Sequence, residues 1–410
     1  MRIVYLNPVG ALGGAERSLL DMMASVRQAM PGADLSLIVA TPGPLIEEAE
    51  KIGARVRVLP MPANLVKVGD SGWRSGISPK SKLRVLESLP SAGLATWGYL
   101  RKLRGTFADL RPDLIHSNGI KFHFLAGLAA RRTWPVIWHI RDFLSLRPLV
   151  SRLLRWTARR TQGGIAISRA VERDVRSALG PFPVEMIYNA VDTQLFSPGL
   201  GDGKELDELA SLPPTEHDTL RIGLVATFAR WKGHELFIQA ASQFVRAFPD
   251  SRVRFYIIGG PIYSTAGSQY SESELRTKIG ELGLANKLGL ISFQQNPADI
   301  YRALDVVVHA STQPEPFGRT IVEAMACGKP VIVAEAGGAK ELFTPEHDAV
   351  GFPSGNVSAL AGRIKRLAEA PSFRTHLAAN ARQTAVARFD RARFGPQILA
   401  AYRRFLQLSR

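Results

Sequence analysis

Short apolar runs alternate with amphipathic stretches from one end of the chain to the other. Runs rich in Val, Ile, Leu and aromatic residues predict strands at Ile3–Leu6, Leu35–Ala40, Val56–Leu59, Leu114–His116, Val136–His139, Gly164–Ile167 and Val184–Tyr188. A second set follows at Arg221–Ala226, Val253–Ile258, Leu288–Phe293, Val306–His309 and Val331–Ala334. Helical patterns lie between them. The clearest is Leu236, Phe237, Ala240, Ala241, Phe244, Val245 and Phe248, which falls on one stripe of a helix. Strands and helices alternating in this way predict an α/β protein with parallel sheets covered by helices on both faces.

Ser197 to Asp218, with Gly199, Gly201, Gly203 and Pro213–Pro214, reads as a linker between two domains of about two hundred residues each. Segment 62–106 breaks the rhythm. It is rich in Gly, Ser, Lys and Arg, and carries Trp73, Leu94, Trp97, Tyr99 and Leu100. It reads equally as an interfacial element, with Lys80, Lys82, Arg84, Arg101, Lys102 and Arg104 meeting lipid headgroups, or as an insertion packed on its own domain.

The 410 residues are 46% hydrophobic and 21% charged, which excludes a largely disordered chain. One cysteine, Cys327, excludes an intrachain disulfide framework and points to a reducing compartment. No apolar run approaches the ~18 residues of a membrane span. The apolar start, Met1 to Leu6, is too short for a secretion signal, so a cytoplasmic location is expected. The net charge of +16 is uneven: residues 51–176 hold 24 basic against 7 acidic residues, and 351–410 hold 11 against 2. Residues 201–350 hold 14 against 19. The first half and the tail therefore call for an acidic partner, be it nucleic acid, anionic lipid or an acidic substrate, or else form a basic surface with no dedicated partner.

Two stretches carry candidate chemistry. The first strand runs into Gly10-Ala-Leu-Gly13-Gly14-Ala-Glu16 and then a helix, a junction at which backbone N–H groups can approach a phosphate or which serves tight packing alone. The second is Glu315-Pro-Phe317-Gly318-Arg319-Thr320-Ile-Val-Glu323, followed by Ala-Met-Ala-Cys327-Gly328-Lys-Pro330-Val331. Its helix start offers amides from Phe317 to Thr320 to a diphosphate, and Glu315 and Glu323 could each hold hydroxyls of a different sugar. Singly, Glu315 also reads as a solvated loop acid, and Thr320 to Glu323 as a capping box. No Cys/His cluster has zinc spacing and no Asp-x-Asp suggests a donor-bound metal, so no cofactor or metal is expected.

The second stretch resembles the donor-site signature of retaining glycosyltransferases of the GT-B fold, family 4. That signature runs acid, Phe-Gly, a second acid eight positions on in Glu-Ala-Met-Ala, then Gly-x-Pro-Val. Gly13-Gly14-Ala-Glu16, Asp113-Leu-Ile-His116, Trp138-His139-Ile-Arg-Asp142, Ala166-Ile-Ser168 and Asn189-Ala190-Val-Asp192 are similar to further motifs of that family, with Ala190 where glycine is usual. Lys232-Gly233 matches its second-domain opening, but Ala226 and Thr227 replace a usual Gly-Arg.

The resemblance implies two Rossmann-like domains with a cleft between them. These are an acceptor domain over 1–197, a nucleotide-sugar donor domain over 198–385, and a last helix, 386–410, returning to the first. It implies that Lys232, with Arg230 from a shifted position, offsets the diphosphate charge and that Glu315 positions the transferred sugar. Glu323 would hold ribose, and His139 would line the sugar pocket.

The function this implies is transfer of a sugar, with retention, from a UDP- or GDP-sugar to a glycan or lipid-linked acceptor in surface polysaccharide or glycolipid synthesis. The basic first half fits such an acceptor at the inner membrane face, so peripheral contact with an anionic membrane is a further expectation. Two other readings are weaker. A nicotinamide-dependent oxidoreductase lacks G-x-G-x-x-G, and a nucleic-acid-binding protein lacks any recognisable module.

Overall fold

The computed structural model describes residues 1–62, 79–131, 133–215, 218–261 and 267–407. All twelve expected strands form, within about two residues at each end, and they divide between two sheets that are parallel throughout. The chain divides into two units, Met1–Ala190 with Arg391–Arg410, and Val191–Asp390.

In the first unit, β1 (Arg2–Asn7), β2 (Asp34–Val39), β3 (Arg55–Val58), β4 (Leu114–Asn118), β5 (Val136–Ile140), β6 (Gly163–Ala166) and β7 (Val184–Met186) stand in the order β3-β2-β1-β4-β5-β6-β7. Strand direction reverses its progress between β1 and β4, so the strand ends at Asn7 and Asn118 flank the switch point where open α/β sheets bind ligands. Alternate residues feed the two faces. Ile3 and Tyr5 join one core with Leu19, Met22 and Val26 of α1 (Gly14–Ala29) and Leu45 and Ala49 of α2 (Leu45–Lys51). The rest of that layer is the last helix: Phe394, Ile398, Tyr402 and Phe405 enter the same core.

The other face carries α3 (Pro79–Leu110), α4 (Ile120–Ala129), α5 (Pro148–Ala158) and α6 (Arg169–Leu179), each packed on the next. Of the segment expected to be interfacial or inserted, α3 makes up most, and its Tyr99 and Leu100 are buried; Trp73 and the side chains of Lys80, Lys82 and Arg84 lie outside the described residues.

In the second unit, β8 (Leu220–Val225), β9 (Val253–Ile258), β10 (Leu288–Ile291), β11 (Val306–His309), β12 (Val331–Ala334) and β13 (Val350–Phe352) are ordered β10-β9-β8-β11-β12-β13. The three-residue β13 was not expected, because its alternation is too short to stand out. Here the switch point lies between β8 and β11. The expected stripe is α8 (His234–Ala247), whose Leu236, Phe237, Ala240, Ala241 and Phe244 pack on Ile222, Phe255 and Val308.

The expected linker is partly structure. Asp202 caps α7 (Gly203–Leu209), and buried Asp207 pairs with Arg221 at 3.1 Å and accepts the Tyr256 hydroxyl at 2.5 Å. That ionic contact fastens the segment to β8 and β9, which glycine and proline content alone does not reveal. The helices α9 (Glu272–Glu281), α10 (Pro297–Ala303), α11 (Arg319–Ala326), α12 (Val357–Glu369) and α13 (Pro371–Phe389) complete this unit; α14 (Arg391–Gln407) belongs to the first.

Candidate functional site

At the switch point of the second sheet, two loops are drawn together. Gly233 follows a short 3₁₀ turn over Arg230–Lys232 and has φ +80°. A Cβ there would stand 1.9 Å from the Ala310 carbonyl oxygen, so only glycine lets the Lys232 loop lie against the end of β11. The Thr312 amide donates to the Trp231 carbonyl at 2.8 Å and fixes the same contact.

Lys232 Nζ then meets Glu315 Oε2 at 2.6 Å and sits 4.0 Å from the centre of the Trp231 ring. Glu315 is not a solvated loop acid. It is buried, accepting from Ser311 Oγ at 2.8 Å, with His309 Nε2 at 3.3 Å. Burial alone would raise its carboxyl, but the Lys232 charge and the His309 hydrogen bond outweigh that and hold it below the usual carboxylate range. At neutral pH it is an acceptor of hydrogen bonds and not an acid.

Beyond Glu315 the chain enters α11 through Phe317, which is buried, and Gly318, whose φ of +106° and close Ile321 side chain disfavour a Cβ. Gly318 caps the helix without a side chain, and the first amides of the helix, at Arg319 and Thr320, have no acceptor within the helix itself. The helix begins before Thr320, so the capping-box reading fails. Instead Glu323 is buried, taking Arg319 Nε at 2.6 Å and the Tyr301 hydroxyl at 2.8 Å. A carboxylate offers about four acceptor positions, so capacity remains. Cys327 ends the helix, buried, with its thiol pushed up to about 12 by burial.

Arg230 is not brought to this cluster. Its guanidinium lies 4.3 Å from the centre of the Tyr270 ring and pairs with Glu274 at 2.6 Å, exposed on the opposite side of its turn. Lys232 is therefore the cation that meets Glu315. Gly259 and Gly260 follow the end of β9 and Gln294 lies in the loop after β10, at the same edge of the sheet. Sequence reasoning missed His309, Ser311 and Tyr301. His309 carried the same strand-end signal as His139, but nothing in the sequence pairs Tyr301 with a glutamate 22 positions later.

In the first unit, Gly13 precedes α1 and donates its amide to Glu16 Oε2 at 3.1 Å, while Gly14 is the exposed first helical residue. Burial raises the Glu16 carboxyl. Asn7 donates to Glu16 at 3.3 Å and accepts from Asn118 at 2.6 Å; Arg141 bonds Asn118 and reaches Asn189 at 2.9 Å. Arg141, rather than the exposed Asp142, thus enters this network. His139 is fully buried, its Nδ1 3.1 Å from His116 Nε2, and His116 Nδ1 meets the Tyr402 hydroxyl at 2.7 Å. Burial, then the Arg141 charge, keeps both imidazoles well below the ordinary histidine range and hence neutral. Ser168 caps α6 by accepting from the Val171 amide at 3.1 Å. Among the described residues, no group of three or more His, Cys, Asp or Glu is placed to hold a metal ion.

Two parallel α/β units with polar clusters at both switch points define a GT-B-type protein. Residues 12–195 match the model described as Glycosyltransferase Family 4, and residues 213–384 that for Glycosyl transferases group 1. The chain belongs to family 4 of the GT-B glycosyltransferases.

D-inositol 3-phosphate glycosyltransferase 1 of Catenulispora acidiphila is 30% identical over 247 residues, covering 58% of this chain and 56% of that protein. The lipopolysaccharide core biosynthesis mannosyltransferase LpsB of Rhizobium meliloti is 31% identical over 170 residues, covering 42% and 46%. The chain spans about half the length of these curated relatives. Anabaena HepE in complex with UDP-glucose superposes with a TM-score of 0.79 at 26% identity, covering 98% of this chain and 99% of that one.

Proposed function

We propose that the protein transfers a hexose, with retention of anomeric configuration, from a nucleotide-diphosphate sugar to a glycan or lipid-linked acceptor. The observation that carries this reading is the Lys232–Glu315 pair standing before the α11 N-terminus with Glu323 one turn inside. Lys232 and the α11 amides offset the diphosphate charge, which grows as the glycosidic bond breaks. Glu315, held ionised, accepts from hydroxyls of the transferred sugar; Glu323, steadied by Tyr301 and Arg319, accepts from ribose.

The acceptor oxygen attacks the anomeric carbon from the face the diphosphate leaves. The bond between that carbon and the diphosphate oxygen breaks, its electron pair departs with the diphosphate, and the acceptor proton passes to a phosphate oxygen. No metal is assigned a part in this step.

The UDP complexes of Anabaena HepE favour a UDP-hexose over a GDP-sugar. The names of the curated relatives and the basic first half favour an acidic acceptor in cell-surface glycan or glycolipid synthesis. Among the described residues no helix is long and apolar enough to cross a membrane. Peripheral contact with the cytoplasmic face of an anionic membrane is part of this reading, and the basic first half supports it. His139, neutral and buried in the first unit, is assigned to shaping the sugar pocket, and Gly13 and Gly14 to backbone contact with the donor.

A thermal-shift panel of nucleotide sugars tests the donor, since a ligand stabilises the fold by mass action. NMR of the product anomer tests retention. A panel without any stabilising nucleotide, or an inverted product, would contradict the respective part.

A further inference from the structure

Helix α5 leaves an apolar stripe in solvent. Its Ser151, Leu154, Thr157 and Ala158 are buried against the unit, and this accounts for one face. Leu149, Leu153 and Trp156, spaced by four and three residues, lie together on the opposite face and are 46%, 47% and 49% exposed. Leu146, just before the helix, is exposed to the same degree. A lone exposed leucine needs no explanation, but large apolar groups sharing one helical stripe do.

The charge around the stripe has one sign. Between residues 143 and 171 the sequence has six arginines and no acid. Arg152, Arg155, Arg159 and Arg160 are exposed; Arg155 bonds the Ala178 carbonyl, and the Arg160 guanidinium lies 4.7 Å from the centre of the Trp156 ring. Of the acids at the margins, Asp174 accepts from Leu144 and Ser145 and Glu172 pairs with Arg176, while Asp142 stands exposed one residue before this stretch. Two helices along on the same face of the sheet, α3 exposes Leu94 and Trp97 beside Arg101.

We propose that the outer face of α5 is a docking surface for an anionic lipid bilayer. Leu149, Leu153 and Trp156 enter the acyl boundary while Arg152, Arg159 and Arg160 meet phosphate headgroups. The charge decides between occupants. A second copy of this chain would bring arginines against arginines, whereas an anionic bilayer supplies both the apolar layer and the opposite charge. The surface is separate from the Lys232–Glu315 cluster, so the proposal stands or falls independently of the donor reading.

The test uses the full chain and vesicles of phosphatidylcholine alone or mixed with phosphatidylglycerol, read by flotation at low and high salt. Binding is expected to the mixed vesicles only, weakening with salt. Replacing Leu149, Leu153 and Trp156 together by Ser should lower partitioning roughly a hundredfold. Arg152→Gln with Arg159→Gln should lower it roughly thirtyfold, at about fivefold to sixfold per charge. Nucleotide-dependent thermal stabilisation of each variant, unchanged from the parent, verifies folding and an intact donor site. The proposal is overturned if the parent ignores anionic vesicles, if the triple serine variant binds them equally well, or if the parent self-associates through this face and binds no lipid.

Discussion

Replacing Lys232 by Ala separates the structural and chemical roles of the pair at the second switch point. The Lys232 side chain is 21% exposed and that of Glu315 only 9%, with 2.6 Å between the charges. Removing one partner of a fully buried pair costs ~3–5 kcal/mol, because the other charge is left unpaired. Here Ser311 and His309 still serve Glu315 and water reaches Lys232, so a loss of about 2–3 kcal/mol is expected. Glu315→Gln added to Lys232→Ala removes the stranded charge at constant shape and should restore most of that loss in denaturant unfolding. Turnover should behave differently. Losing the cation proposed to face the leaving diphosphate is expected to lower kcat about 10²–10³-fold, as for removal of a single oxyanion donor. The second substitution should not rescue it. Steady-state kinetics with the donor identified by thermal shift gives the answer. Wild-type kcat in Lys232→Ala, or kinetic rescue parallel to the stability rescue, would refute the assignment and leave the pair a structural contact.

Glu315 also sets a pH signature. Its folded carboxyl lies below the unfolded value, so its contribution is complete above the unfolded range and lost as pH falls; the stability gap between the parent and Glu315→Gln should shrink from about pH 5 downward. The buried histidines act in the same direction, but in a window nearer neutrality. His123 is pushed down to about 3, and His116 and His139 well below 6.5, so the unfolded chain takes up protons first and the first unit loses stability as pH falls below about 6.5. Among the described residues the second unit holds one such histidine, His234, pushed down to about 3 by burial, against three in the first, so hydrogen exchange should show the larger loss in β4 and β5 and the smaller in β8 and β11; equal loss in both sheets would argue against it. Gly233→Ala places a Cβ against the Ala310 carbonyl at positive φ and should cost on the order of 2–5 kcal/mol, measured by thermal unfolding. Tyr301→Phe removes the hydroxyl that steadies Glu323 and should raise KM for the donor several-fold with kcat nearly unchanged.

Periodicity made the sheets legible. A continuous apolar run such as Ile3 to Leu6, buried on both faces, and the stripe on α8 leave few alternatives. The order of the strands, and with it the two switch points, follows from right-handed crossovers and not from any single residue. Glu315, Gly318 and Glu323 were visible because a glycine at a helix start and two acids at fixed spacing form one local string. What pairs them was not visible: Lys232 meets Glu315 across 83 positions and Tyr301 meets Glu323 across 22. Arg230 shows the opposite limit. The resemblance placed it on the diphosphate from a shifted position, in place of the arginine missing at Thr227, yet the turn at Arg230–Lys232 sends the two cations apart, one to Glu274 and one to Glu315. The apparent linker after Ser197 was misread for a similar reason, since Asp207 gains its structural role only through Arg221 and Tyr256.

The central claim is that the second unit binds a nucleotide-diphosphate sugar through Lys232, the start of α11 and Glu323. Isothermal titration of UDP and UDP-glucose into the parent protein and into Glu323→Ala tests it most directly. Saturable binding by the parent, weakened at least tenfold in Glu323→Ala, is the predicted result. Equal affinity in both proteins, or no binding of any uridine or guanosine diphosphate by the parent, would contradict it.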